Sequence, residues 1–296
     1  MTYEEIPQLR LFILLIFIFF ANANANVLDG NNGAQLVEKG NMQAMQGNYS
    51  AAETLYKQAT ELKEPSAYYS LGMLALNGYG QEKDLNKAVA LYTKAAELDY
   101  SQAQYELSVL YSVADYGLVD NEKYLNWLTK AANNGHKLAC HNLASIAVRV
   151  GKTATGIAYY KKAAAQGHLP SIMSLGMIHY SGIGTQKNYG LALKYFSLAA
   201  EQDDLEAVRL LAMLSERGLG TVRDTRKAKA LYNKAYQAGN LNAGYNLALL
   251  YLDEKRPEEA ESLLQKLSTQ GLDNAMLLLK QLKAKKGIKL NIDDAK

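Results

Sequence analysis

The stretch Leu71-Gly72-Met73-Leu74-Ala75-Leu76-Asn77-Gly78-Tyr79-Gly80-Gln81-Glu82-Lys83-Asp84-Leu85-Asn86-Lys87-Ala88-Val89-Ala90-Leu91-Tyr92-Thr93-Lys94-Ala95-Ala96 decides the fold. Its apolar residues fall at helical spacing twice, as Ala67, Leu71, Leu74 and Ala75 and then as Ala88, Leu91, Tyr92 and Ala95. Between the two runs, Gly78-Tyr79-Gly80 supplies residues that take the positive φ at which a helix ends. Asp84 follows, a side chain suited to cap the next helix. The segment therefore reads as two helices joined by a short loop.

The same pattern recurs along the chain. The leucine of each Leu-small dipeptide stands at Leu71, Leu107, Leu143, Leu175, Leu211 and Leu247, with separations of 36, 36, 32, 36 and 36. A second register runs through Lys94, Lys130, Lys162, Leu198, Lys234 and Lys266, 23 residues beyond the first in four units and 19 beyond it in the units from Leu143 and Leu247. Gly182-Ile183-Gly184 with Asn188, and Gly218-Leu219-Gly220 with Asp224, repeat the loop and cap, while Gly135, Gly167, Gly239 and Gly271 end second helices. The unit from Leu107 lacks the Gly-x-Gly loop, and those from Leu143 and Leu247 are shorter by about four residues. A further unit runs from Gly40 to Leu62, with Gly47-Asn48-Tyr49 as its turn. One helix hairpin cannot bury its apolar face alone, so neighbouring hairpins must stack.

Leu71-Gly72, Gly78-Tyr79-Gly80, Asp84, Lys87-Ala88 and Tyr92-Thr93-Lys94-Ala95-Ala96 resemble the Sel-one-like repeat (SLR) family, a relative of tetratricopeptide repeats. The resemblance implies an all-α fold, a right-handed superhelical solenoid of stacked antiparallel helix pairs. It covers residues 34–273 as about seven repeats, with residues 274–296 as a closing helix and tail. It also implies a role in adaptor, scaffold or host-interaction contacts, and some exported relatives act as immunity proteins that neutralise secreted toxin enzymes in the periplasm.

Residues 1–25 differ from the rest. Arg10 precedes the apolar run Leu11–Phe20, and Ala21-Asn22-Ala23-Asn24-Ala25-Asn26 offers small residues for cleavage after Ala23 or Ala25. Ten apolar residues rise about 15 Å in a helix, half of a hydrocarbon core of roughly 30 Å, so a signal peptide is expected and a stable membrane span is not. That reading places the mature protein in the periplasm or outside the cell.

Lys plus Arg number 32 against 29 Asp plus Glu, interspersed, so no basic tract points to nucleic acid. Four prolines in 296 residues suit uninterrupted helices, and a hydrophobic content of 49% suits a sizeable core. The single cysteine, Cys140, permits no internal disulfide. His136, His141, His168 and His179 show no metal-ligand spacing, so no metal or other cofactor is expected. His136 and His168 recur because the repeat recurs, and His179 takes the slot of Tyr111 and Tyr251. The Gly-x-Gly loops follow no strand and read as turns, not phosphate cradles. Cys140 and His141 are adjacent in a helix and point in different directions, which disfavours a nucleophile–base pair. Trp127 shares its register with Leu91, Tyr159 and Tyr195 and is expected in the core. No catalytic residue is assigned.

One column is left over. Two residues after the small residue that opens each first helix stand Tyr69, Tyr105, His141, Met173, Arg209 and Tyr245, with Met73, Val109, Ser145, Met177, Met213 and Leu249 four residues further on. By analogy with tetratricopeptide stacks, first helices line a concave surface, and Tyr, Arg and Met are the types enriched at protein interfaces. The opposing view makes them packing between successive first helices. The expected function is thus protein binding by an exported module. A cell-wall or glycan binder, in which tyrosines stack on sugar rings, is the alternative, and a hydrolase is the less favoured one.

Overall fold

The computed structural model describes residues 32–293. The leader expected over residues 1–25, with its cleavage points at Ala23 and Ala25, lies outside them. Among the described residues every regular element is helical, and the chain divides into two compact units at Leu143/Ala144.

In the first unit α1 (Gly33–Met45) pairs with α2 (Tyr49–Glu61), α3 (Pro65–Asn77) with α4 (Leu85–Glu97), and α5 (Ser101–Ser112) with α6 (Asn121–Asn133). A 3-10 turn, Ala114–Tyr116, replaces the missing Gly-x-Gly loop of the third pair. The boundary between the units falls within α7 (Lys137–Arg149), whose partner is α8 (Thr153–Ala164). The second unit continues with α9 (Leu169–Ser181) on α10 (Tyr189–Ala200), α11 (Leu205–Arg217) on α12 (Thr225–Gln237), and α13 (Leu241–Asp253) on α14 (Pro257–Thr269). The last helix, α15 (Asp273–Asp293), packs against α14. Within each unit the pairs also touch their sequence neighbours, so the fold is the expected stack of helix pairs.

Local chemistry places the boundaries. Asp84, Asn188 and Asp224 accept the backbone N–H of Lys87, Leu191 and Lys227, at 2.8, 2.9 and 2.9 Å, and so cap α4, α10 and α12. Gly78, Gly182 and Gly218 end α3, α9 and α11 in the left-handed region. The shorter units replace this loop with a tight turn, at residues 150–152 and 254–256. Second helices end on a left-handed residue too, at Gly135, Gly167, Gly239 and Gly271, but the same place holds Lys63, Asp99 and Asp203 in other pairs. The glycine pattern alone did not mark those three positions.

The cores lie between the helices of each pair and between successive pairs. Tyr56, Tyr92, Leu107 and Leu128 are fully buried in the first unit, and Leu175, Phe196, Leu214, Tyr232 and Leu264 in the second. The small residue of each Leu-small step has a packing reason. A Cβ on Gly72 would lie 2.7 Å from carbons of the Tyr92 ring, and one on Gly176 would lie 2.4 Å from the Phe196 ring. The bare backbone of the first helix is what lets the aromatic ring of the second lie against it. Trp127 is half-buried against the core, with the Lys130 ammonium 4.3 Å from the centre of its ring.

Candidate functional face

The residues of the expected column do not share one environment. Tyr69 is 9% exposed, and its ring lies 5.5 Å from both Tyr92 and Tyr100, inside the core of the first unit. This corrects the expectation of an accessible side chain at Tyr69. Tyr100 caps the start of the next pair and its ring lies against that of Tyr69, so the register alone does not report the depth of the side chain. Met73 is half-buried against the same core. Tyr105 and His141 are half-buried on α5 and α7.

In the second unit Met173 and Met213 are half-buried, Tyr180 places its hydroxyl 3.8 Å from the Met213 sulfur, and Tyr245 packs against the core of α13 and α14. Arg209 is held by Glu206, a fork in which Nε donates to Oε2 at 2.8 Å and Nη2 donates to Oε1. Asn240 closes on the other side, its amide donating to Glu206 Oε2 at 3.3 Å. That pairing holds the Glu206 carboxyl below the usual carboxylate range. The side chain that stays open is Met177, 42% exposed, and Leu249, in the same register one helix pair beyond Met213, is 39% exposed. The second unit thus presents a stripe of methionine and leucine on its first helices, rimmed by an internally neutralised ion pair.

In the first unit the corresponding face is polar and aromatic. His136 precedes α7, and the Ala139 N–H donates to its Nδ1 at 3.3 Å. With Nδ1 an acceptor, Nε2 carries the proton and donates to Gln102 Oε1 at 2.9 Å. Gln102 in turn donates from Nε2 to Glu106 Oε1, also at 2.9 Å. Tyr105 stacks on the His136 ring at 4.4 Å between centroids. Burial, and secondarily Lys137, push the His136 imidazole down to about 4, and burial raises the Glu106 carboxyl. Gln102 was not singled out from the sequence, and His136 was read only as a recurring repeat position; the signal of their pairing is the 34-residue step shared with Glu206 and Asn240, which links a first helix to the start of the next.

The remaining candidates are structural. Cys140 is fully buried and its thiol donates to the Ala132 carbonyl at 3.2 Å. His168 bonds Ser171 at 2.9 Å. His179 is buried in α9. Among the described residues no three His, Cys, Asp or Glu side chains come together as a metal site, and no helix is long and apolar enough to cross a membrane. The surface depressions are shallow. One of about 400 Å³ lies among α12, α13 and α14, lined in part by Tyr236, Tyr251 and Glu259.

The Sel1 repeat signature matches residues 65–100, 101–136, 138–168, 170–204 and 205–240. No curated protein matches the chain. Among solved structures, a protective antigen present in uropathogenic Escherichia coli strains, displaying an SLR fold, is 26% identical with a TM-score of 0.69. The match covers 85% of this chain and 56% of the antigen, so the chain spans little more than half of that protein's length. A Sel1 repeat protein from Oxalobacter formigenes is also 26% identical, with a TM-score of 0.58, over 80% of this chain and 97% of that one.

Proposed function

The chain belongs to the Sel1 repeat family, whose members mediate protein–protein interaction, and from that premise we propose that it is an exported module that holds a protein partner against its first helices. The observation that carries this reading is the stripe of the second unit. Met177 and Leu249 are exposed, Met213 lies half-buried on the same register, Met173 and Tyr245 lie half-buried four residues before Met177 and Leu249, and the nearby charges Glu206 and Arg209 already neutralise each other. Methionine is adaptable and polarisable, and an apolar centre with a polar rim is how protein interfaces are built. No reaction is assigned to this surface. Binding by shape and apolar burial needs no general base and no metal.

The test is affinity capture from periplasmic and culture extracts, comparing the wild type with Met177→Ser/Leu249→Ser. Both side chains are exposed, so the melting temperature of the double variant should stay within about 2 °C of wild type. A protein retained by the wild type and lost by the variant is the expected result. Retention by both would remove the stripe as the binding surface, and retention on purified peptidoglycan in place of a protein would favour the glycan alternative. Export is checked by mass spectrometry of the mature N-terminus, which should begin after Ala23 or Ala25. The narrower form of the proposal, immunity against a secreted toxin enzyme, rests on the habits of the family and on the leader-like stretch. It predicts that the purified chain inhibits the captured partner's enzymatic activity at equimolar ratio.

A further inference from the structure

The loop that joins α11 to α12 carries a charge that its counterparts lack. Between Glu216 and Lys227 stand Arg217, Arg223, Arg226 and Lys227 against two acids, Glu216 and Asp224. In the same register the α3–α4 loop has Asn77, Lys83, Asn86 and Lys87 with Glu82 and Asp84, and the α9–α10 loop has Ser181, Lys187, Gly190 and Leu191. The four cations of the α11–α12 loop are exposed, and none of the ion pairs among the described residues includes them. Both acids are already engaged within the fold: Asp224 accepts the Lys227 N–H at 2.9 Å, and Glu216 Oε2 accepts the Tyr232 hydroxyl at 2.8 Å. Helix chemistry accounts for part of the pattern. Arg217 closes the last turn of α11, and Arg223 Nε donates to the Glu216 carbonyl at 3.0 Å, at a helix end that favours cations. It does not account for Arg226 and Lys227, which occupy the first turn of α12, where the dipole disfavours a cation and no acidic residue answers them. The surface is also concave here. A shallow depression of about 470 Å³ is lined by residues 221–227, which sets Arg223, Arg226 and Lys227 around it with the hydroxyls of Thr221 and Thr225. Val222, in the same lining, is 84% exposed, where the other two loops carry Glu82 and Gln186.

We propose that this loop edge docks an acidic segment of a protein partner, its carboxylates against Arg223, Arg226 and Lys227 and an apolar side chain against Val222. The inference rests on the protein-binding reading and names the chemistry that a partner brings to the second unit. Charge complementarity selects the acids: guanidinium and ammonium groups donate and accept nothing, and the planar fork of arginine matches a carboxylate. These cations have no internal ion pair to give up when a partner arrives, and charges placed at the rim of an interface raise the rate of encounter. Val222 separates a peptide from a free anion, since an inorganic ion offers nothing to an exposed isopropyl group. The depression separates it from a membrane, whose flat surface would meet the rim and leave the hollow unfilled. The helix end itself is not the recognition element, because Asp224 already takes the Lys227 N–H.

The experiment follows fluorescence polarisation of two labelled peptides with the full mature chain, one with glutamates flanking a leucine and one with glutamines in their place. The expected result is saturable binding of the acidic peptide, about tenfold or more tighter than the neutral one and weakened by added salt. Arg226→Gln/Lys227→Gln should lose about tenfold in affinity with no fall in melting temperature, since it removes two cations from the wrong end of a helix. Lys83→Gln/Lys87→Gln takes the same charge from the α3–α4 loop and should leave binding nearly unchanged. Equal binding of both peptides by the unmodified chain overturns the proposal without requiring any variant to fold. An equal loss in the two double variants overturns it too, because overall charge would then be the cause. Displacement of the acidic peptide by an equal concentration of inorganic phosphate would make the site one for a free anion, and displacement by phosphatidylglycerol vesicles would make it a membrane contact; either result ends the proposal. Capture of a protein on the Met177 stripe by a chain that ignores the acidic peptide would end this proposal and leave the other standing. Acid-selective binding at the loop with no protein captured on the stripe would do the reverse.

Discussion

Both ring nitrogens of His179 are buried without a hydrogen-bond partner, and the ring lies parallel to Tyr195 at 5.9 Å between centroids. A neutral imidazole there leaves one donor and one acceptor unmet, each costing about 1–3 kcal/mol in a buried setting. Burial, with Lys161 adding to it, lowers the pKa of His179. The unfolded chain takes up the proton near pH 6.5 while the folded chain resists it, so stability is full above that pH and declines as the pH falls below it. His179→Phe should therefore raise the melting temperature at pH 7, by about 1 kcal/mol in stability, and the gap should widen at pH 5. A gap that stays constant with pH would show that the imidazole is not protonated on unfolding. At Lys63 and Asp203 a side chain occupies a left-handed backbone, with φ of 58° and 61°. Replacing either by glycine should stabilise the protein by up to ~1 kcal/mol in chemical denaturation, since the homologous turns at Gly135 and Gly239 need no Cβ.

At the scale of the helix, capping and the His136 link set what can be tested. Asp84→Ala removes the acceptor of the Lys87 N–H and should cost about 1 kcal/mol in denaturant-derived stability. His136 does two jobs, accepting from Ala139 at the start of α7 and donating to Gln102 on α5. Protonation at Nδ1 would abolish the first, and the imidazole is accordingly held down at about 4. Its contribution is present above pH 6.5 and is lost as the pH falls towards 4. His136→Asn introduces the side chain that Asn240 uses at the equivalent cap of the second unit, an acceptor that does not titrate. The variant should lose less melting temperature than wild type between pH 7 and pH 4.5. The helices, their caps and the short turns of the Leu143 and Leu247 units were legible in the sequence because glycine spacing and apolar period report backbone geometry directly. The depth of Tyr69 was not, since burial there depends on Tyr100 of the next pair, and a column in a repeat alignment says nothing about its neighbour's bulk.

On the scale of the molecule, periodicity disclosed the stacked helix pairs, and the family follows from the same residues. The candidate face was legible only as a register. Whether a column member is open, as Met177 is, or engaged, as Arg209 is by Glu206 three residues before it, depends on the side chains around it, which the repeat varies freely. The stacking itself yields a sharper prediction. A Cβ on Gly220 would fall 2.5 Å from the Tyr189 carbonyl carbon and oxygen and 2.8 Å from the Gly190 nitrogen, all backbone atoms that cannot swing aside. Gly220→Ala also places a side chain at φ 70°, so it should cost more than about 2 kcal/mol, read as a lowered melting temperature.

Gly80 meets Tyr49 and Gly184 meets Thr153 in the same way that Gly220 meets Tyr189, each against the first residue of the preceding second helix. The last glycine of each loop thus acts as a spacer of zero thickness, setting how closely one hairpin seats on the one before. A hairpin that carries this glycine brings its own fit to any predecessor whose second helix begins at the same point. Such a chain can gain or lose a hairpin by duplication or deletion with a single joint to satisfy, and its length is open to change while its internal pitch is not.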